Sequence, residues 1–221
     1  MRHFDEELEE LKSKLLEMSG LVESAISTSV TALTSLDRQL CERVFEYEDR
    51  INIMEIEIDD MATRLLALQQ PMASDLRFLT SAIKINNDLE RMGDLAVKIA
   101  KRALDLMDLP PVKPLVDIPE MARLAESMLH KCLDSFVRRD SALAREVLVS
   151  DDGVDDTRVE IFRVLIRAMQ AEPANIPQYV DLMSVARSLE RIADHATNIA
   201  EDVLFLTEGI DVRHHAETRK S

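Results

Sequence analysis

Residues 86–104 read NNDLERMGDLAVKIAKRAL, and residues 186–204 read ARSLERIADHATNIAEDVL. The two stretches share L-E-R-(M/I)-(G/A)-D, with Glu90 and Asp94 in one copy and Glu190 and Asp194 in the other. Each pair is spaced i, i+4, which sets two carboxylates on adjacent turns of one helical face. Wherever the chain is helical around these boxes, the fold follows from how the rest of it flanks them.

The flanking sequence is helical throughout. Leu8, Leu11, Leu15, Met18, Val22, Ile26, Val30 and Leu33 recur at three-and-four spacing, which predicts one amphipathic helix over 4–35. Asp37 suits the N-cap of a second helix, whose stripe of Leu40, Val44, Tyr47, Ile51, Met54, Ile58, Met61, Leu65 and Leu68 runs to about Gln70. Pro71 ends it, because proline lacks the backbone donor and clashes with the preceding turn. Ser74 or Asp75 opens the third helix, which carries Glu90 and Asp94 and runs to about Asp108. The Pro-rich PPVKPLVDIP at 110–119 marks a boundary. A fourth helix follows from about Pro119 to Arg139. A fifth, capped by Asp140 or Ser141, ends near Ala171, and a sixth runs from about Pro177 to Thr207, with Gly209 at its end.

The motif helices superpose with a shift of 100 residues and the helices before them with a shift of about 103, so the chain reads as an internal duplication. The expected fold is all-α: two tandem, pseudo-symmetric antiparallel three-helix bundles of long helices. The expected units are residues 1–109, residues 115–209 and a frayed tail over 210–221.

Composition narrows the function. Asp and Glu number 42 against 27 Lys and Arg, a formal net charge of −15, so a nucleic-acid partner, which needs a basic surface, is not expected. With no Trp, six Phe and two Tyr, the core has to be aliphatic and rich in the 11 methionines. Cys41 and Cys132 stand alone, without CxxC or Cys/His spacing, and read as ordinary thiols of a reducing compartment. The acidic start MRHFDEELEELKSKLL has no apolar signal region, and no apolar run reaches the ~20 residues of a membrane span. A cytoplasmic location is expected.

The acids are the candidate chemistry. On a wheel of about 100° per residue, Leu79, Ile83, Val97 and Leu104 fall near the meridian of Glu90, which places that glutamate in the apolar seam. Tyr179, Met183, Ala186 and Leu204 do the same for Glu190. A carboxylate in such a place needs a partner, a hydrogen bond or a metal. The second helix of each half offers facing groups: Glu48 and Asn52 in the first, Asp151 and Asp155 at the repeat positions of the second. Oxygen donors of this kind suit Mg, Mn, Ca or Fe, whereas zinc commonly adds His or Cys. His195 is the one imidazole placed to join, in the second half alone. The competing reading is an ion pair, and it is strongest in the second half, where Arg158 stands at the repeat position of Glu55 and can face Glu190. No phosphate-binding Gly loop, Ser/His/Asp set or nucleophilic Cys pattern is present, so catalytic residues are not expected. A di-iron carboxylate bundle needs Glu-x-x-His on two helices, and the boxes here are ExxxD.

The run QQPMASDLRFLTSAIKINNDLERMGDLAVKIAK (69–101) and its looser repeat EPANIPQYVDLMSVARSLERIADHATNIAE (172–201) resemble the PhoU family of bacterial phosphate-transport regulators over essentially the whole chain. The most specific elements are Pro71-x-x-x-Asp75-Leu76-Arg77 and the two L-E-R-x-x-D boxes. The resemblance implies a cytoplasmic negative regulator of the phosphate-starvation response, not an enzyme. Such a regulator links the phosphate ABC importer, through its cytoplasmic ATPase component, to a membrane sensor histidine kinase. It touches the membrane only through those partners, and a homodimer is expected. The resemblance also implies iron or zinc at the acidic motifs, with ligands falling on Glu48, Asn52, Glu90 and Asp94 and on Asp151, Asp155, Glu190 and Asp194. Asn52 and Arg158 depart from an all-carboxylate pattern. The alternative from the residues alone is a carboxylate-bridged metal enzyme or a metal store.

Overall fold

The computed structural model describes residues 2–69, 71–112, 117–210 and 212. Six long helices account for nearly all of them: α1 (Arg2–Ser35), α2 (Arg38–Gln69), α3 (Ala73–Met107), α4 (Ile118–Arg138), α5 (Ser141–Ala171) and α6 (Ile176–Glu208). A single 3-10 turn, Pro173–Asn175, joins α5 to α6. The expected elements are all present, with ends within one or two residues of the sequence reading. Most of the expected tail lies outside the described residues.

The ends follow local chemistry. The Asp37 carboxylate accepts from the backbone N–H of Gln39 at 2.9 Å and of Leu40 at 3.4 Å, closing the start of α2. Asp140 does the same for Ala142 and Leu143, both at 3.0 Å. Asp117, a cap the sequence reading passed over, accepts from Glu120 N–H at 3.1 Å and starts α4 just before Pro119. Gly209 stops α6 at φ +70°, a conformation that costs glycine nothing.

Helices α1, α2 and α3 pack together, as do α4, α5 and α6, giving two tandem three-helix bundles. The bundles join along α3 and α6 and, less extensively, along α1 and α4. The contacts define two layers: α2, α3, α6 and α5 side by side, with α1 and α4 beneath. Polar contacts fix α3 and α6 as antiparallel. Lys84 Nζ lies 2.7 Å from Asp202 Oδ1, and Arg102 Nη1 lies 3.2 Å from Asp181 Oδ1. Between them, His195 Nδ1 lies 2.8 Å from Asp88 Oδ1. With the repeat shift of 100, these pairs centre the pseudo-twofold close to Met92 and Ile192.

The buried residues form one continuous core through both bundles. The α1 stripe is buried from Leu11 to Leu33, and the α2 stripe holds except at its end, where Leu68 is 71% exposed. Met92, Met121 and Met128 are buried in the core, as the shortage of aromatics predicted. Phe78 of α3 stacks on Phe136 of α4 with centroids 5.9 Å apart, a further tie between the halves. Cys41 and Cys132 are free, buried thiols, and burial pushes both up from the ordinary cysteine range.

Candidate acidic site between paired helices

The acids of both repeats lie where the second helix of a bundle packs on its motif helix. In the first bundle α2 brings Glu48, Asn52, Glu55 and Asp59 alongside Asn86, Glu90 and Asp94 of α3. All but the exposed Asp59 and the buried Asn86 are half-buried. Asn86 anchors the register: its Nδ2 donates to the Glu55 carbonyl at 2.9 Å and to Asp59 Oδ1 at 3.1 Å. Antiparallel packing then puts Glu90, one turn on, near Glu55 and Glu48. Their charges show it. Burial, Asp94, Glu55 and Glu48 all push the Glu90 carboxyl up, and the positive charge that most opposes them is its exposed chain neighbour Arg91.

The second bundle repeats the frame with different charges. Asp151 and Asp155 of α5 stand near Glu190 and Asp194 of α6. Burial, then Asp194 and Asp155, push the Asp151 carboxyl up to about 6. The Asp194 carboxyl is also raised, by burial first and Asp155 next, against the lowering effect of His195, Arg191 and Arg158. Asp194 itself lies on the open side of the groove, with its outer face exposed. Arg158 Nε lies 3.0 Å from Glu190 Oε1 and 3.8 Å from Asp155 Oδ1. The Nε–H does not aim at either oxygen, so this is an ion pair without a formed hydrogen bond. Burial still holds the Glu190 carboxyl above its ordinary range, with Arg158 the largest opposing influence.

Two expectations shift. Glu90 and Glu190 are half-buried at the margin of the packed face and are not enclosed within it. Helix α3 meets α1, α2 and α6, so apolar residues spread over a wide arc, and its fully buried line runs through Ile85, Leu89, Met92 and Ala96. His195 turns away from the acids of its own bundle, because the next residue on a helix points about 100° aside. It meets Asp88, which also accepts from Asn198 Nδ2 at 3.4 Å.

Among the described residues, no three His, Cys, Asp or Glu side chains converge as a ready ligand set. As a donor set, the first bundle offers only oxygen ligands, the chemistry a hard cation takes, and the carboxylates of Asp94, Glu55 and Glu48 add to burial in raising Glu90. The second bundle fits less well, since a guanidinium already stands against Glu190. Elsewhere, an apolar cavity of about 600 Å³ opens near the α3–α4 connection, lined by Leu33, Leu36, Leu106, Pro110, Ile118 and Leu182 among others. Asp117, its one acid, is occupied in capping α4.

Fold and site together define a tandem-repeat helical protein whose polar features are paired acidic grooves. The model of the PhoU domain matches it twice, over residues 15–103 and 118–203, so the chain belongs to the PhoU family. A relative from Pseudomonas aeruginosa, described as a phosphate-specific transport system accessory protein PhoU homolog, is 41% identical over 219 residues, spanning 99% of this chain and 90% of its own. The crystal structure of PhoU from Pseudomonas aeruginosa superposes with a TM-score of 0.90 at 40% identity, covering 94% of this chain and 100% of that one. The phosphate transport system regulatory protein PhoU from Streptococcus pneumoniae gives a TM-score of 0.84 at 31% identity, covering 95% and 99%. Among the described residues, no helix is long and apolar enough to cross a membrane.

Proposed function

We propose that this chain is an accessory regulator of phosphate transport, acting in the cytoplasm as a negative regulator of the phosphate-starvation response. The observation that carries this is near-full-length similarity to relatives named for phosphate transport, joined to grooves that offer ligands but no catalytic set. In this reading the chain, as a homodimer, links the ATPase of the phosphate ABC importer to a sensor histidine kinase. Residues 1–109 and 115–209 are the two units that share the task. The side chains contribute docking: long amphipathic helices give a stiff surface, and a net charge of −15 favours partners with basic faces.

The carboxylates add a cation. Glu48, Glu55, Glu90 and Asp94 would hold it in the first bundle, with Asn52 as a neutral oxygen donor. A bound cation supplies positive charge that offsets the repulsion among these acids and stiffens α2 against α3. The alternatives, a carboxylate-bridged enzyme or a metal store, draw no support from His195, which pairs with Asp88 and not with the acids of its own box.

Affinity capture of the chain from cells grown in low and in ample phosphate tests the role. Importer ATPase and kinase are expected to co-purify, with recovery changing with phosphate, and deletion of the chain is expected to leave the starvation response on in ample phosphate. No association at either level, together with a normally silenced response in the deletion strain, would sink the proposal.

A further inference from the structure

The repeats differ most where their charges should be equivalent. Glu55 of α2 corresponds to Arg158 of α5 under the shift of 103 that carries Glu48 onto Asp151. Both face the motif glutamate of their own bundle. Glu55 adds repulsion to Glu90, whereas Arg158 Nε lies 3.0 Å from Glu190 Oε1.

The surroundings of Arg158 hold it there. Its side chain is 27% exposed and that of Glu190 is 25% exposed, so neither is a loose surface arm. The Arg158 guanidinium carbon lies 5.5 Å from the centroid of the Phe162 ring, and that of Arg187 lies at the same distance from the same ring. Phe162 and Ala186 occupy the positions that Asp59 and Asn86 hold in the first bundle. The second bundle has thus exchanged a polar clasp for an aromatic platform under a guanidinium. Among the described residues, no guanidinium or ammonium pairs with Glu90. There Asn86, 1% exposed and one turn before Glu90, keeps its Oδ1 buried without a hydrogen-bond partner.

We infer that Arg158 is a built-in counter-ion that takes the place of a bound cation in the second bundle, so that of the two acidic grooves only that of Glu48, Glu55, Glu90 and Asp94 is left to take one. A guanidinium keeps its charge at all working pH values, repels a divalent ion and occupies the glutamate such an ion would need. The inference rests on reading the acids as cation ligands.

Manganese binding, measured by equilibrium dialysis with elemental analysis of the full chain, tests both. One equivalent of Mn²⁺ is expected for the natural sequence. Glu90→Gln and Glu55→Arg should each weaken it at least tenfold, and Glu190→Gln should leave it unchanged. Arg158→Glu, which copies the first bundle's charge, should gain a second equivalent that Glu190→Gln then removes. Arg158→Gln serves if the charge reversal unfolds the chain, as circular dichroism would report. Binding lost in Glu190→Gln alone, or no gain in a folded Arg158 variant, overturns the inference while the cation reading stands. Manganese bound by none of these proteins overturns both.

Discussion

Asp151 carries the most displaced acid of the grooves. Its carboxyl is pushed up to about 6, against an ordinary 3.8, because burial, Asp194 on the facing helix and Asp155 one turn along its own helix disfavour its charge. The folded chain therefore keeps a proton that the unfolded chain has released between those two values. Stability falls as pH rises through this window. Glu90, Glu190 and Asp194 are shifted the same way. Urea unfolding at about pH 3 and pH 7 should show Asp151→Asn more stable than the natural chain at pH 7, by about 1 kcal/mol after allowing for its exposure, and little different at about pH 3, below both values. An equal difference at both pH values would assign the gain to something other than the proton.

Helix pairs show how the duplicated halves have been tuned apart. A Cβ on Gly93 would meet Ile51 Cδ1 at 3.1 Å and Cγ2 at 3.4 Å. In the second bundle the repeat positions hold Ala193 and Val154, both buried. A larger residue on one helix is matched by a smaller one on the other, which keeps α2 against α3 and α5 against α6 at close approach. Gly93→Ala alone should cost about 1 kcal/mol, the steric clash outweighing the gain in helix propensity. Adding Ile51→Val should recover most of it, and denaturant midpoints of the single and double variants would show the non-additivity. If the two changes simply add, the pair is not a packing unit. At this scale the sequence was highly legible. Periodicity, Asp37, Pro71, Asp140 and Gly209 define helix ends by local rules. The α2/α3 register was legible too, because Glu48 and Glu90 share one groove of a short-range hairpin.

The joint between the bundles was not. Lys84 and Asp202, Arg102 and Asp181, and Asp88 and His195 meet across about 80 to 120 residues of chain. Nothing in a single-helix pattern says which helix will lie alongside. The one available signal was basic residues on α3 and acids on α6, and on so acidic a chain it does not stand out. The same blindness placed His195 with the wrong neighbours and Glu90 too deep. The Asp202 side chain is 8% exposed, so loss of Lys84 removes an ammonium 2.7 Å from a covered carboxylate. Lys84→Ala is expected to cost about 1–2 kcal/mol by thermal unfolding, with part of it returned on adding Asp202→Ala. A single variant indistinguishable from the natural chain would show that the pair is solvated in solution.

The antiparallel crossing of α3 and α6 has one more consequence. A twofold running through the layer of α2, α3, α6 and α5 exchanges the repeats while keeping them on the same face. A fully symmetric face would accept one asymmetric partner equally well in two poses half a turn apart, and binding would scramble direction. Glu55 beside one motif glutamate and Arg158 beside the other remove that degeneracy. The layer has a more negative flank and a more neutral one, so a basic partner arriving from solution meets a preferred heading before any side chains interlock.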